Sequence, residues 1–194
     1  MYSLTKRIRH IELPDEIILS CELLSESDES KNKDEAESTS GAFLIRRMAK
    51  KHMAVNHLEV YTLKNEKPKA FTGDNELSVS FSHTKDAISA AISFEYLVGC
   101  DIESSDRSVS PALVNRMRGE FEAQELYKLD EIRIWTCKEA ALKMIGTGLR
   151  KPMRSVNLFQ LDVNLFGVEI DNEIRAKICS FKHNKHWISI CYRK

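Results

Sequence analysis

The sequence has no net charge, because 29 lysine and arginine residues balance 29 aspartate and glutamate residues over 194 residues. The total charge therefore indicates no polyanion-binding class of protein. The sequence also lacks an uninterrupted apolar run near the ~18 residues that mark a membrane-spanning helix. Its start, which leads at once into charged residues, lacks the pattern of a signal peptide. These absences predict a soluble, cytoplasmic protein.

The cysteines lack the C-x-x-C spacing that is typical of zinc and redox sites, and their number is odd. They are Cys21, Cys100, Cys137, Cys179 and Cys191. We therefore expect free, buried thiols in a reducing compartment.

Apolar periodicity predicts both helices and strands, and a chain of 194 residues could bury one good core or two small ones. Short strands are expected on either side of Pro14, and a helix over residues 41–52 with Ser40 as its N-cap. Residues 26–37 mix six acids and two lysines with serines, which is typical of a loop or linker. A docking or gating segment is the alternative interpretation.

Further strands are predicted in residues 55–63, 77–86, 87–94, 156–163, 166–170, 175–181 and 187–192. Further helices are predicted from Pro111 to about Met117, across residues 121–129 and across residues 134–146.

Two pairs of charged residues stand out within residues 98–143. Asp101 and Glu103 follow an apolar, β-prone run at the i, i+2 spacing that places both carboxylates on one face of a strand. Glu139 and Lys143 lie at the i, i+4 spacing that places an acid and a base on one face of a helix. Three converging carboxylates repel one another unless a cation lies among them, and an all-oxygen ligand set suits Mg²⁺. Lys143 would then face an anion held by the metal.

Each pair alone also has a simpler explanation. A D-x-E sequence after a strand is commonly a solvated turn. An E-x-x-x-K sequence on a helix is commonly a surface ion pair worth about 0.3 kcal/mol. The occurrence of both pairs together favours a magnesium and phosphate site.

The motifs that contain these residues resemble those of a known family. They are Val98-Gly99-Cys100-Asp101-Ile102-Glu103 and, about thirty residues later, Trp135-x-x-Lys138-Glu139-Ala140-x-x-Lys143, with Ser82-His83-Thr84 upstream. Their order and separation resemble the 4′-phosphopantetheinyl transferases, and the chain length resembles the two-half type that activates surfactin synthetase. In that family, a lysine of a G-K-P turn contacts coenzyme A phosphates, and only Lys67-Pro68 of that turn is present here.

The resemblance implies an α+β fold of two similar halves in a pseudo-twofold arrangement, with residues 1–97 binding coenzyme A phosphates and residues 98–194 carrying the catalytic motifs. It implies transfer of the phosphopantetheine arm of coenzyme A to a serine of an apo acyl or peptidyl carrier protein, by a monomer that uses Mg²⁺. By resemblance, the metal ligands are Asp101, Glu103 and Glu139, the catalytic residues are Glu139 as base and Lys143, and the coenzyme A contacts are Lys67, Ser82, His83, Lys138 and Lys143.

A weak internal repeat supports the two-half expectation. Residues 81–90 and 181–190 share five identities at an offset of 100, so that His83 aligns with His183. Such self-similarity indicates duplication, with the boundary between the copies near Leu97.

Two alternative functions fit the same residues. One is another Mg²⁺-dependent phosphate enzyme, such as a hydrolase. The other is a catalytically silent module that binds coenzyme A, although intact Asp101, Glu103, Glu139 and Lys143 disfavour it.

Overall fold

Two five-stranded antiparallel sheets form the framework of the computed structural model, which describes residues 13–24, 33–63 and 66–194. The first sheet has the order β1-β5-β4-β3-β2, with β1 (Ile18–Leu23), β2 (Glu59–Tyr61), β3 (Lys69–Thr72), β4 (Asn75–His83) and β5 (Ala87–Ser93). The second has the order β6-β10-β9-β8-β7, with β6 (Leu97–Ser104), β7 (Val156–Gln160), β8 (Leu165–Ile170), β9 (Ile174–His183) and β10 (His186–Arg193).

Helices follow the first strand of each sheet. The first half contains α1 (Lys33–His52), and the second contains α2 (Pro111–Met117) and α3 (Glu131–Met144), with short 3₁₀ helices at Gln124–Lys128, Gly148–Arg150 and Met153–Ser155. Each half therefore runs from one strand through a helical region into four further strands, and the two sheets have the same strand order. The α+β fold with two similar halves is as the sequence predicts.

Three apolar clusters fill the spaces between these layers. One lies between α1 and the first sheet, and includes Ile45, Met48 and Val79. A second lies between the two sheets, and a third between α3 and the second sheet. Apolar burial thus joins the two halves as well as stabilising each one.

The helix α1 begins earlier than expected. It starts at Lys33, so Ser40 lies inside the helix and is not its N-cap. The loop predicted over residues 26–37 is therefore wrong from Lys33 onward, because the good helix formers of residues 33–37 extend α1. The rest of that prediction, residues 26–32, falls on residues that the structure does not describe.

Several strand predictions are confirmed and others need correction. β1 is the predicted strand after Pro14, whereas the strand expected before Pro14 lies outside the described residues. Of the strand predicted over residues 55–63, only Glu59–Tyr61 (β2) forms a strand. Of the helix predicted over residues 121–129, only Gln124–Lys128 is helical, as a 3₁₀ helix. The sequence does not predict β3, because its four residues show no clear alternation of apolar and polar side chains. Only Ala70 among them is buried.

The two halves correspond at an offset of 99 residues, not 100. The first hairpin closes with a hydrogen bond from Thr84 N to Ala87 O at 2.7 Å, and the second closes at the His183 and His186 pair. Since 183 − 84 and 186 − 87 both equal 99, Thr84 corresponds to His183. A slip of one residue exchanges the faces of a strand. The identities at an offset of 100 therefore pair residues on opposite faces.

Side-chain burial supports the corrected offset. Ala91 and Ile190, which are 99 apart, both pack between the two sheets. Ile88 and Ile188, which are 100 apart, do not share an environment, because Ile88 packs beneath α1 and Ile188 packs between the sheets.

The five cysteines are free, as predicted. Four of them are buried, and Cys21 is partly buried. None of the helices in the described part of the chain has the length and apolar character needed to cross a membrane.

Helix α3 lies directly against β6 at Gly99. A Cβ atom at this position would lie 2.1 Å from the carbonyl oxygen of Ala140 and 2.3 Å from the amide nitrogen of Met144. Only glycine lets the backbone of α3 lie this close to β6. Because residues alternate along a strand, Asp101 shares the helix-facing side with Gly99.

We predict that Gly99→Ala lowers the free energy of unfolding by about 1–3 kcal/mol, the usual cost of overpacking. The added methyl group must push α3 away from β6, since its nearest neighbours are backbone atoms. Urea unfolding followed by circular dichroism measures the change. The matched control is Gly167→Ala, where a Cβ atom would meet only Leu161 at 3.6 Å. Equal stability of the two variants would contradict the packing role of Gly99.

Candidate active site at the seam between the halves

Asp101, Glu103 and Glu139 come together where β6 faces α3. Asp101 and Glu103 lie on alternate positions of β6, and Glu139 lies on the buried side of α3. Asp101 and Glu139 are 3% and 7% exposed. The negative charges of Asp101 and Glu103 both raise the pKa of Glu139, so the three carboxylates are close enough to interact.

Lys143 joins this group to the first half. Its ammonium group contacts Asp101 Oδ1 at 2.7 Å and donates to Ser82 Oγ at 2.8 Å. Ser82 in turn donates to Asp101 Oδ1 at 2.8 Å. Although burial opposes the charged form of Lys143, the neighbouring Asp101 raises the pKa of the ammonium group. Lys143, Ser82 and Asp101 therefore all contact one another where β4 of the first half meets β6 and α3 of the second. We call this junction the seam.

Two features of the carboxylates indicate that their negative charge is not fully compensated at this site. Asp101 Oδ2 is buried and has no hydrogen-bond partner among the described residues. Burial and the neighbouring Asp101 and Glu103 raise the pKa of Glu139 to about 7, although Lys143 opposes the rise. An additional cation would complete the coordination of Asp101 and stabilise the ionised form of Glu139.

Glu103 is held at the outer rim of the site. Its Oε1 atom accepts a hydrogen bond from Trp135 Nε1 at 3.2 Å and forms an ion pair with Arg107. The Arg107 guanidinium also lies 5.3 Å from the centre of the Trp135 ring. Arg107 and Trp135 thus fix the orientation of Glu103.

The three predicted metal ligands fit a hard cation by chemistry, since all of them offer carboxylate oxygens and one of these oxygens is buried without a partner. No group of three His, Cys, Asp or Glu side chains within residues 13–24, 33–63 and 66–194 is arranged closely enough to form a metal centre. In this arrangement Lys143 and Arg107 neutralise Asp101 and Glu103.

A row of serines on β4 lies against β6. Ser78 Oγ accepts from Val98 N at 3.0 Å, and Ser80 Oγ accepts from Cys100 N at 2.9 Å. β6 is the edge strand of the second sheet, so these hydroxyls satisfy amide groups that no strand pairs. Ser82 continues the same face and reaches Asp101.

Lys67 lies close to the seam but is engaged with the end of α3. Its Nζ atom donates to the carbonyl of Met144 at 2.9 Å and to Ser78 Oγ at 3.5 Å. Burial lowers the pKa of Lys67 to about 8. The lysine thus satisfies one of the carbonyl groups that a helix leaves unpaired at its C-terminus.

Lys138 lies away from the site residues, although it is next to Glu139 in sequence. Its side chain is completely buried, donates to the carbonyls of Met117 and Val156 at 2.6 Å each, and forms an ion pair with Glu122 at 2.7 Å. Adjacent helical residues point in directions about 100° apart, so Lys138 faces the interior of the second half. The structure therefore gives Lys138 partners inside the second half, and its coenzyme A contact stays a prediction.

Ser82 and His83 do not lie on the same face of β4. Ser82 is on the seam side with Ser80, whereas strand alternation places His83 on the α1 side with Phe81, which packs in the α1 core. The structure therefore brings Ser82 into the carboxylate group and places His83 next to it on the other side of the sheet.

Sequence analysis missed Glu122, Arg107 and the roles of Ser78 and Ser80. Glu122 accepts hydrogen bonds from Gly119 N at 2.6 Å and Leu158 N at 3.0 Å, in addition to its pairing with Lys138. Glu122 and Arg107 lie in loops, where no periodicity singles them out. The alternation of Ser78, Ser80 and Ser82 in a strand is a signal that could have found the seam.

Part of the chain matches a known protein family. Residues 97–191 match the sequence model of the family described as the 4′-phosphopantetheinyl transferase superfamily. This segment begins with β6 and contains Asp101, Glu103, Glu139 and Lys143. No curated protein matches the chain.

We predict that Lys138→Met lowers the free energy of unfolding by about 3–5 kcal/mol, because it leaves the buried Glu122 carboxylate without its cation. Urea unfolding measures the loss. The matched control is the double variant Lys138→Met and Glu122→Gln, which removes both charges and should be more stable than the single variant. A single variant with normal stability and weakened coenzyme A binding would instead assign Lys138 to the ligand.

Proposed function

We propose that the chain is a 4′-phosphopantetheinyl transferase, which transfers the phosphopantetheine arm of coenzyme A to a serine hydroxyl of an apo acyl or peptidyl carrier protein. The observation that carries the proposal is the grouping of Asp101, Glu103, Glu139 and Lys143 at the seam, within the segment that matches the superfamily. The serine oxygen forms a bond to the phosphorus attached to pantetheine. The bond from that phosphorus to 3′,5′-ADP breaks, and 3′,5′-ADP leaves.

Asp101, Glu103 and Glu139 are the proposed ligands of Mg²⁺. The orphaned Oδ2 atom of Asp101 and the raised pKa of Glu139 support this assignment. When bound, the metal ion supplies charge neutralisation to the pyrophosphate of coenzyme A.

Glu139 is the proposed base. Burial raises the pKa of Glu139 to about 7 in the metal-free site, and a bound cation would lower it, so the carboxylate would be ionised at neutral pH and able to accept a proton, directly or through a water molecule. It would take the proton of the carrier serine as that oxygen attacks phosphorus.

Lys143 is proposed to neutralise the phosphate oxygens as charge develops on the departing 3′,5′-ADP. Its ammonium group already lies within 2.8 Å of Ser82 Oγ, so the two side chains can contact one anion together. His83, which lies on the opposite face of β4 from Ser82, is a further proposed phosphate contact. Lys67 is also a proposed coenzyme A contact, since its ammonium group donates to the Met144 carbonyl and to Ser78 Oγ and has a third N–H to donate.

We also propose that the chain acts as a monomer. The core between the two sheets is built from strands of the same chain, which supplies both sides of the seam. A second subunit is not needed to complete the site.

The experiment that tests the function is intact-mass analysis of apo carrier proteins incubated with the chain, coenzyme A and Mg²⁺. A phosphopantetheine mass increment on the carrier is the expected result, and its loss on adding a chelator is the control. Release of 3′,5′-ADP in the absence of a carrier would instead indicate a hydrolase. Unmodified acyl and peptidyl carriers would contradict the proposal.

We predict that Asp101→Asn and Glu139→Gln each lower the transfer rate by at least about 100-fold, which corresponds to about 2.7 kcal/mol of transition-state stabilisation. Each substitution neutralises a proposed metal ligand without changing its size. The assay is the intact mass of the carrier over time at saturating Mg²⁺, with circular dichroism to check the fold. Near-normal turnover by either variant would refute the site assignment.

We predict that His83→Ala weakens coenzyme A binding about 10- to 150-fold, the equivalent of losing a hydrogen bond to a charged group. The control is His183→Ala, since His183 lies in the second half and pairs with Asn184. Calorimetric titration of coenzyme A in the presence of Mg²⁺ should show normal affinity for the control. Equal affinities of the two variants, or a greater loss in His183→Ala, would show that His83 does not contact the ligand.

A further inference from the structure

An open groove with a volume of about 650 Å³ lies on the outer side of the first half, between α1 and the segment that leads into β2. One wall is the face of α1 that carries Phe43, Arg46, Arg47 and Lys50, and the other is formed by residues 55–61. None of the residues assigned to the transfer site lines this groove. It is therefore a separate concave surface.

The groove is positively charged. Its α1 wall carries Arg46, Lys50 and Arg47, of which Arg47 is paired with Glu22, whereas Glu59 is the only carboxylate among the lining residues. Arg46 donates to the carbonyl of Leu58 through Nε at 3.2 Å, and Lys50 is exposed and forms no ion pair with a described residue. The terminal nitrogens of both side chains can therefore contact an acidic ligand. Because the chain as a whole is neutral, this is a local concentration of positive charge.

Two exposed aromatic rings line the same groove. Phe43 is 61% exposed and Tyr61 is 53% exposed. The Arg47 guanidinium lies 5.4 Å from the centre of the Phe43 ring, and Tyr61 packs edge-on against Phe71. Exposed aromatic side chains are typical anchors of protein interfaces.

One wall of the groove contains a sheet edge. β2 is the outermost strand of the first sheet and pairs only with β3 among the described residues. Its outer backbone groups can therefore pair with an added strand. A groove between a helix and an edge strand suits an extended peptide, which gains main-chain hydrogen bonds from the strand and side-chain contacts from the helix.

We infer that this groove binds an acidic, extended segment of a partner protein. The segment lies along β2, places apolar side chains on Phe43 and Tyr61, and directs carboxylates toward Arg46 and Lys50. The groove is open and has the short edge strand β2 in one wall, which favours a peptide over a small enclosed ligand. This surface does not depend on the proposed transferase activity.

The test is fluorescence polarisation with a short fluorescein-labelled peptide in which aspartates alternate with valine and phenylalanine. Two probes serve as controls, namely the same peptide with lysines replacing the aspartates and a labelled oligouridine. The full chain should bind the acidic peptide and neither control. Amide shifts in ¹⁵N-edited NMR spectra should change along residues 43–50 and 55–61.

Two groove variants and one matched variant complete the test. Phe43→Ser and Lys50→Glu should each weaken binding by at least about tenfold, as loss of an interface anchor does. Lys177→Glu makes the same charge change at an exposed position on β9 and should bind normally. All three variants should keep the circular dichroism spectrum of the original chain. Equal binding by the groove variants, tighter binding of oligouridine, or shifts outside the groove would overturn the inference.

Discussion

The approach of α3 to β6 at Gly99 is the constraint on which the site depends. A side chain at this position would collide with backbone atoms of α3. The same strand face then presents Asp101 and Glu103 to Glu139 and Lys143 on the helix. The Gly-x-Asp-x-Glu spacing is therefore a packing pattern as well as a ligand pattern, since alternate residues of one strand set both the distance to the helix and the charges that face it.

The contacts at the seam combine side chains of both halves. Serines of β4 satisfy the free amide groups of the edge strand β6, and Ser82 joins the contact between Lys143 and Asp101. Lys67 reaches from the first half to the last carbonyl groups of α3. At the hairpin tips, His186 contacts Asp86 across the same boundary at 3.1 Å. These polar contacts surround the apolar core between the sheets, so the relative position of the halves is fixed along their whole contact.

The sequence predicts the placement of the site residues, because spacing along a strand or a helix determines which side chains share a face. The i, i+2 and i, i+4 spacings place Asp101, Glu103, Glu139 and Lys143 on facing surfaces without knowledge of the fold. Lys138 could not be assigned in this way, since its partner Glu122 lies in an irregular loop. The offset of 100 predicted for the repeat differs by one residue from the offset of 99 in the structure, because it rests on chance identities. Only the backbone pairing of the two hairpins gives the correct register. The groove beside α1 depends on how a short edge strand packs, and no sequence pattern marks it.

The most direct test of the central claim is titration of Mn²⁺, as a paramagnetic substitute for Mg²⁺, followed by the electron paramagnetic resonance signal of the free ion with coenzyme A present. The account predicts that the chain binds Mn²⁺ and that Asp101→Asn weakens binding by at least about tenfold, because it removes the ligand charge at the buried, unpartnered oxygen. Arg175→Gln, on the exposed face of β9, should bind normally. Unchanged binding by Asp101→Asn, or no binding by the original chain, would contradict the assignment of the seam carboxylates as a cation site.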